Sequence, residues 1–430
     1  MADDFEPGTP SVYVSADGND DENSGTEDMP FATLEKAYAA TKGDVANKRI
    51  VVLSNLGAEG TVKLNGTDAE GDAVTIEGKY LDLKIERTGG QNGSVITVTN
   101  GAKVKFKNIF IDGKRGGSSG NYHRALEIGG QNTEVTLENR AKITGKKMGD
   151  ATAAAPLNGS GVRLYDAAKL VMNNGSSVVN CELAGTCIGT VMIQSGAKLE
   201  MNAGSLISGN TADNGGAVYV HSLDNVSSGK SEFVMNDGEM SDNKAVLNYG
   251  GGVSLSNGKF TMNNGKLLRN ESKTHGGAVY VLSASNAGEN CKSEFIMENG
   301  EISGNNSERG GGVSLSYGSF TMKNGEIRSN ASTADGGGVH IVQGGFFTME
   351  GGEISLNSSK IGGGVYVYNH NTAKFTMTGG TIYGNDEAGY GKSNVFTDGG
   401  NSAALFKGAQ SIGDPSTLAT SNGTVTIPSN

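Results

Sequence analysis

A chain of 430 residues with 68 glycines, six prolines and no tryptophan is neither collagen-like nor a proline-rich linker, and 36 % apolar residues is few for one thick globular core. Its 46 acidic against 35 basic residues give a net charge of −11, which disfavours nucleic acid and acidic lipid surfaces as partners. No stretch approaches the roughly 20 consecutive apolar residues of a membrane-spanning helix.

In chain order, the opening Met1-Ala2-Asp3-Asp4 has neither the basic nor the apolar segment of a secretory leader. Asp17, Asn19 and Asp20 have the oxygen spacing of a calcium loop but lack its following glycine and closing glutamate. A solvated turn is expected there, with no metal and no cofactor. Asp28 stands at an N-cap position with Pro30 in the first turn, and Phe31, Leu34, Ala37 and Tyr38 then share one face. Residues 1–48 are therefore expected to end in a short amphipathic helix that caps the first strands.

From residue 49 onward, short apolar runs alternate with period two, the mark of strands with one buried face. They fall at 50–53, 74–76, 95–98 with 104–106, 125–128 with 135–137, 162–164 with 170–172, and 191–193 with 199–201. Cys181 and Cys187 either pair or sit as inert thiols, with Cys291 left over, and no C-x-x-C spacing suggests a metal.

Between 215 and 385 the repeat becomes strict. A Gly-Gly-Ala/Gly-Val motif ends at Val218, Val253, Val279, Val313, Val339 and Val365, at intervals of 35, 26, 34, 26 and 26 residues. Each is followed by Phe-x-Met, beginning at Phe233, Phe260, Phe295, Phe320, Phe347 and Phe375. A third apolar position follows at Met240, Leu267, Ile302, Ile327, Ile354 and Ile382, and an asparagine closes each unit at Asn243, Asn270, Asn305, Asn330, Asn357 and Asn385. Three short strands per unit, joined by Gly-rich bends, make one coil. Coils stacked ~4.8 Å apart would superpose Phe on Phe and Val on Val. The Asn-Gly pairs could instead be hairpin turns, but 26 residues are too few for a propeller blade of ~40–50. The predicted fold is all-β: a right-handed parallel β-helix of about twelve three-strand coils over 49–385, with a C-terminal cap over 386–430.

Two coils carry insertions, 221–230 and 282–292, both between the first and second strands. Beside them the outward row reads Tyr219, Ser254, Tyr280, Ser314, His340 and Tyr366. Tyr219, Tyr280, His340 and Tyr366 are the candidate binding residues, on the expectation that exposed flat rings meet a sugar or protein. Glu301, Glu326 and Glu353 form an outward carboxylate row whose one-coil spacing is close to the ~5–5.5 Å of a retaining glycosidase pair. A repeat-derived row of solvated charges, interrupted by Lys266 and Thr381, is the expected reading, since an active site is a local break in a repeat. His123, His221, His275, His340 and His370 fall on different coils and compose no triad. Thr261, Thr321, Thr348 and Thr376 form a partial outward row, broken by Val234 and Ile296, that only distantly suggests ice binding.

The segment Val12-Tyr13-Val14-Ser15-Ala16-Asp17-Gly18-Asn19-Asp20, with Pro30-Phe31-Ala32-Thr33-Leu34, resembles the start of pectate-lyase-like β-helix proteins. The Gly-Gly-Gly-Val-Tyr-Val and Phe-Thr-Met units are similar to repeats of adhesin-like and polymorphic outer-membrane proteins of bacteria. The resemblance implies a bacterial surface or extracellular location. The end, Thr424-Val425-Thr426-Ile427-Pro428-Ser429-Asn430, is too short for an autotransporter barrel, so a lipid-anchored or freely secreted protein is expected, its leader already removed. The expected function is a non-enzymatic, adhesin-like binding or stalk module, a monomer whose partner is a glycan or a host or other extracellular protein. The alternative is a polysaccharide lyase or glycoside hydrolase on the same scaffold.

Overall fold

A computed structural model describes residues 11–42, 48–66, 73–89, 93–113, 123–151, 161–185, 188–222, 229–286, 288, 292–368, 372–387, 394–398, 403–406, 411–412, 418–421 and 424–426. Over the described residues the chain forms an all-β, right-handed parallel β-solenoid with three sheets and one short helix, of about ten turns where about twelve were expected. It divides into two compact units, Met1–Leu206 and Ile207–Asn430.

In the second unit every strand pairs in parallel with its counterpart one coil on, and residues of one type meet. Val253 pairs with Val279, Val279 with Val313, and Val313 with Val339. Phe260 pairs with Phe295, Phe295 with Phe320, and Phe320 with Phe347. Ile302 pairs with Ile327 and Ile327 with Ile354. These three rows name three faces, the valine, phenylalanine and isoleucine faces, whose inward side chains make the core. The six phenylalanine rings stack face to face at 4.6, 4.8, 4.5, 4.7 and 5.0 Å and are all buried. Burying one such ring contributes roughly 1.5–3 kcal/mol, and stacking adds about 0.5–1.5 kcal/mol for a pair.

The asparagines solve the problem that the coil's sharpest corner leaves buried amides and carbonyls without ladder partners. Asn305 Oδ1 accepts from the Asn270 backbone N–H at 2.8 Å and from Asn270 Nδ2 at 3.1 Å. Asn305 Nδ2 donates to Asn330 Oδ1 at 2.9 Å and to Leu267 O at 2.9 Å. The same pattern runs from Asn210 through Asn243 and on to Asn357, Asn385 and Asn394. The side-chain amides thus form a buried ladder from coil to coil, each inner asparagine accepting from one neighbour and donating to the next.

In the first unit the rows are less uniform, but the logic holds. Val104 pairs with Val135 and Phe106 with Leu137, which pairs in turn with Met172. The solenoid begins earlier than expected: Val12–Val14 pairs with Arg49–Val52, so the N-terminal segment already contributes a strand. It also continues past 385, where Val395–Asp398 and Leu418–Ser421 pair in parallel.

The helix spans Leu34–Ala40, and its N-cap is Thr33 rather than Asp28. Thr33 Oγ1 accepts from Lys36 N, while Phe31 stays extended and bridges to Val14. Pro30 favours that extended neighbourhood, which moves the helix start five residues along from the expected cap. Leu34, Ala37 and Tyr38 are buried as the face predicted, and the helix packs on Val12–Val14 and Val62–Asn65.

Candidate functional site

Six coils of the second unit, those of Val218, Val253, Val279, Val313, Val339 and Val365, enter the valine face through Gly-Gly. The first glycine has positive φ, for example +67° at Gly276, +64° at Gly336 and +65° at Gly362. This hook folds the chain back over its own strand. A Cβ on Gly336 would stand 2.8 Å from Cβ of His340, and one on Gly362 would stand 2.9 Å from Cβ of Tyr366. Only glycine fits there.

The consequence overturns one expectation. Tyr280, His340 and Tyr366 are 6 %, 1 % and 4 % exposed, and Tyr219 is half-buried. The row faces away from the core as expected, but the hooks cover it, so these rings are not displayed. The side chains that cover them precede each Gly-Gly: Tyr249, His275, Arg309, Asp335 and Ile361. Tyr249, His275 and Arg309 bridge in parallel from coil to coil.

A polar and aromatic seam results. Tyr249 stacks on Tyr280 at 4.6 Å, His275 lies 5.9 Å from His340, and His340 stacks on Tyr366 at 5.4 Å. Ser314 Oγ is 3.2 Å from His340 Nδ1, and the Tyr366 hydroxyl donates to Asp398 Oδ2 at 3.0 Å. Burial, with His275 and Arg309 nearby, holds the His340 imidazole down at about 3. Burial likewise lowers His275 and raises the Asp335 carboxyl. The histidines are thus not all scattered: two meet. A Ser–His pair sealed from solvent cannot reach a substrate, so its chemistry here is structural. Sequence reasoning missed the covering residues, although their position before each Gly-Gly was there to be read.

The carboxylate row is engaged. Glu301, Glu326 and Glu353 pair in register on the isoleucine face. Arg328 donates to Glu301 Oε1 at 2.5 Å and to Glu326 Oε2 at 3.0 Å. Glu353 accepts from the Ser355 and Tyr383 hydroxyls at 2.6 and 2.8 Å. Neighbouring rows pair likewise, Arg269 with Asp242 and Lys244 with Glu271, each at 2.8 Å.

At the N-terminal turn, Asn19 Oδ1 accepts from the Asp21 and Glu22 amides, closing an Asx turn. Asp20 Oδ1 accepts from the Ala32 and Thr33 amides at 2.8 and 3.0 Å, and Oδ2 accepts from the Thr33 hydroxyl. Burial would raise this carboxyl, but those hydrogen bonds together hold it below its ordinary value. Asp20 therefore clamps the helix cap. Among the described residues, no group of three or more His, Cys, Asp or Glu is placed to hold a metal ion.

The two insertions leave their coils through matching clamps. Ser231 N donates to Ser222 Oγ at 2.8 Å and Ser231 Oγ to His221 O at 2.7 Å. Ser293 N donates to Ser283 Oγ at 2.7 Å, and Ser293 Oγ to Leu282 O. Most of the 221–230 loop and part of 282–292 lie outside the described residues, as do Cys187, Cys291 and His370. The proposed Cys181–Cys187 pairing therefore falls there too. Cys181 is buried, and burial pushes its thiol upward. No described helix is long and apolar enough to cross a membrane.

No protein-family model matches the chain, and no curated protein does. Among solved structures, a GH136 lacto-N-biosidase from Eubacterium ramulus aligns at 10 % identity with a TM-score of 0.23, covering 97 % of this chain and 67 % of that one. A likeness at that level carries no argument about activity.

Proposed function

We propose that the protein is a non-enzymatic, adhesin-like binding or stalk module of the bacterial surface or extracellular space, a monomer whose partner is a glycan or an extracellular protein. The observation that supports this most is the shared engagement of Glu301 and Glu326 by Arg328. A retaining glycosidase needs one carboxyl in an apolar surround as acid and a second free to attack. Here the guanidinium occupies oxygens of both, on an open and repetitive face. A rigid scaffold that presents similar charged and neutral rows coil after coil suits many weak contacts along a repetitive polymer, which sum to avidity. The enzyme reading keeps one supporting feature, the in-register pairing of those two carboxylates. The test is an array of glycans and extracellular matrix proteins probed with the whole chain. Saturable binding to a defined class is expected, and an array without hits would sink the reading.

A further inference from the structure

Asn-Gly is the dipeptide best disposed to lose its side-chain amide without an enzyme, because a glycine with no side chain leaves its backbone nitrogen room to reach the asparagine carboxamide. The described residues hold eight such pairs, and the fold treats them in two ways. Gly66 N donates to Thr99 O at 3.1 Å, Gly101 N to Thr133 Oγ1 at 2.9 Å, Gly175 N to Gly204 O at 3.0 Å and Gly215 N to Tyr249 O at 2.8 Å. Those hydrogen bonds hold the nucleophile in place. At Asn257-Gly258 the carboxamide is withdrawn instead: Asn257 is buried, and its Oδ1 accepts from Ala284 N at 3.2 Å.

The other three pairs fall at one corner, where a coil leaves the phenylalanine face for the isoleucine face. They are Asn264-Gly265, Asn299-Gly300 and Asn324-Gly325, each one coil after the last. All three asparagines are exposed, and the amides of Gly265, Gly300 and Gly325 donate to no acceptor among the described residues. Exposure alone does not separate the groups, since Asn100 and Asn174 are exposed as well. Asn299 Nδ2 donates to Asn264 Oδ1 at 3.4 Å, which polarises the Asn264 carboxamide. One coil earlier the same corner carries Asp237-Gly238, and Gly238 N donates to Asp237 Oδ1 at 2.7 Å. There the side chain already folds back over the next amide, the approach that ring closure needs. The corner keeps its glycines because φ is +102°, +110° and +94°, and a Cβ on Gly265 would stand 2.6 Å from Met235 Cε. A groove of about 220 Å³ runs along this corner and is open to water.

We infer that Asn264, Asn299 and Asn324 are sites of spontaneous deamidation, which turns a neutral corner row into a carboxylate row continuous with Asp237. The glycine nitrogen attacks Cγ and forms the N–Cγ bond of a cyclic imide. The Cγ–Nδ2 bond breaks, and Nδ2 leaves as ammonia with the proton that the glycine nitrogen gives up. Water then adds to either imide carbonyl and opens the ring, leaving aspartate or isoaspartate. Each event puts one more negative charge beside Glu301 and Glu326, on a chain already at −11. The acidity of this face therefore records how long the folded chain has spent in water.

The test ages the folded whole chain at neutral and at mildly alkaline pH and maps every Asn-Gly peptide by mass spectrometry, with the guanidinium-unfolded chain as reference. In the folded chain Asn264, Asn299 and Asn324 are expected to gain one mass unit at least tenfold faster than Asn65, Asn100, Asn174, Asn214 and Asn257. The rate should rise with pH, isoaspartate should appear among the products, and unfolding should remove the difference between the groups. Thr133→Val deletes the acceptor that holds Gly101 N, and should bring Asn100 to the fast rate while Asn65 and Asn174 stay slow. Where Thr133→Val does not fold, the comparison of sites within the parent chain decides alone. Equal rates at all the sites of the folded chain, or faster conversion at the held pairs, overturns the inference. So does a folded Thr133→Val chain whose Asn100 stays slow.

Discussion

At the scale of single residues, the side chains that alternate along a strand carry opposite burdens. Phe320 is fully buried between Phe295 at 4.5 Å and Phe347 at 4.7 Å, while Thr321 beside it is half-exposed. Phe320→Asp should therefore lose several kcal/mol, beyond the about 3–5 kcal/mol of a Phe→Ala change, because an unpaired carboxylate enters the stack. Thr321→Asp should stay near the parent. Thermal melts of the two variants check this, and equal loss would reverse the inward and outward assignment. The buried histidines give a second residue-scale expectation. The folded state holds His340 at about 3 and also depresses His275, whereas both titrate near 6.5 when unfolded. Their stabilisation is complete above pH 6.5 and is lost as pH falls toward 3, by on the order of 1 kcal/mol per pH unit for each group while it differs. Arg309 opposes their protonation, Glu308 favours it at His275, and the raised Asp335 offsets part of the loss at the acid end. Denaturant melts between pH 7 and 4 should show that slope, and His340→Phe should flatten it; an unchanged slope would put the titration elsewhere.

At the scale of elements, how much was legible depended on what each signal encodes. Period-two alternation encodes which face of a strand is buried, so Val218, Phe320 and Ile327 were placed correctly from spacing. Alternation says nothing about what lies over the outer face. Tyr280 and Tyr366 were therefore expected in solvent, and the hooks at Gly276 and Gly362 cover them instead. The helix cap was misplaced for a related reason: Asp28 has the right chemistry, but the bridge between Val14 and Phe31 holds the chain extended past it. The serine clamps make a sharper distinction between loop and seam. Replacing 222–231 and 283–293 by the Asn-Gly that closes the coil at Asn257-Gly258 should shift the melting temperature by no more than about 2–4 °C, since each coil closes on its own neighbours. Tyr280→Ser, by contrast, removes a ring stacked on Tyr249 and should cost about 3 kcal/mol. A loop deletion that melts the protein as much as Tyr280→Ser does would make the insertions part of the core.

At the scale of the whole molecule, the fold was legible because a solenoid writes its contacts into its period, and function was not, because a repeated surface has no singular point. The central claim is that this scaffold binds without converting what it binds. Its most direct measurement is mass spectrometry of each array ligand after prolonged incubation with the pure chain. The account predicts ligand recovered intact at its starting mass and length. Time-dependent release of shorter saccharides or unsaturated ends, abolished by Glu301→Gln with Glu326→Gln, would contradict it and make the protein an enzyme.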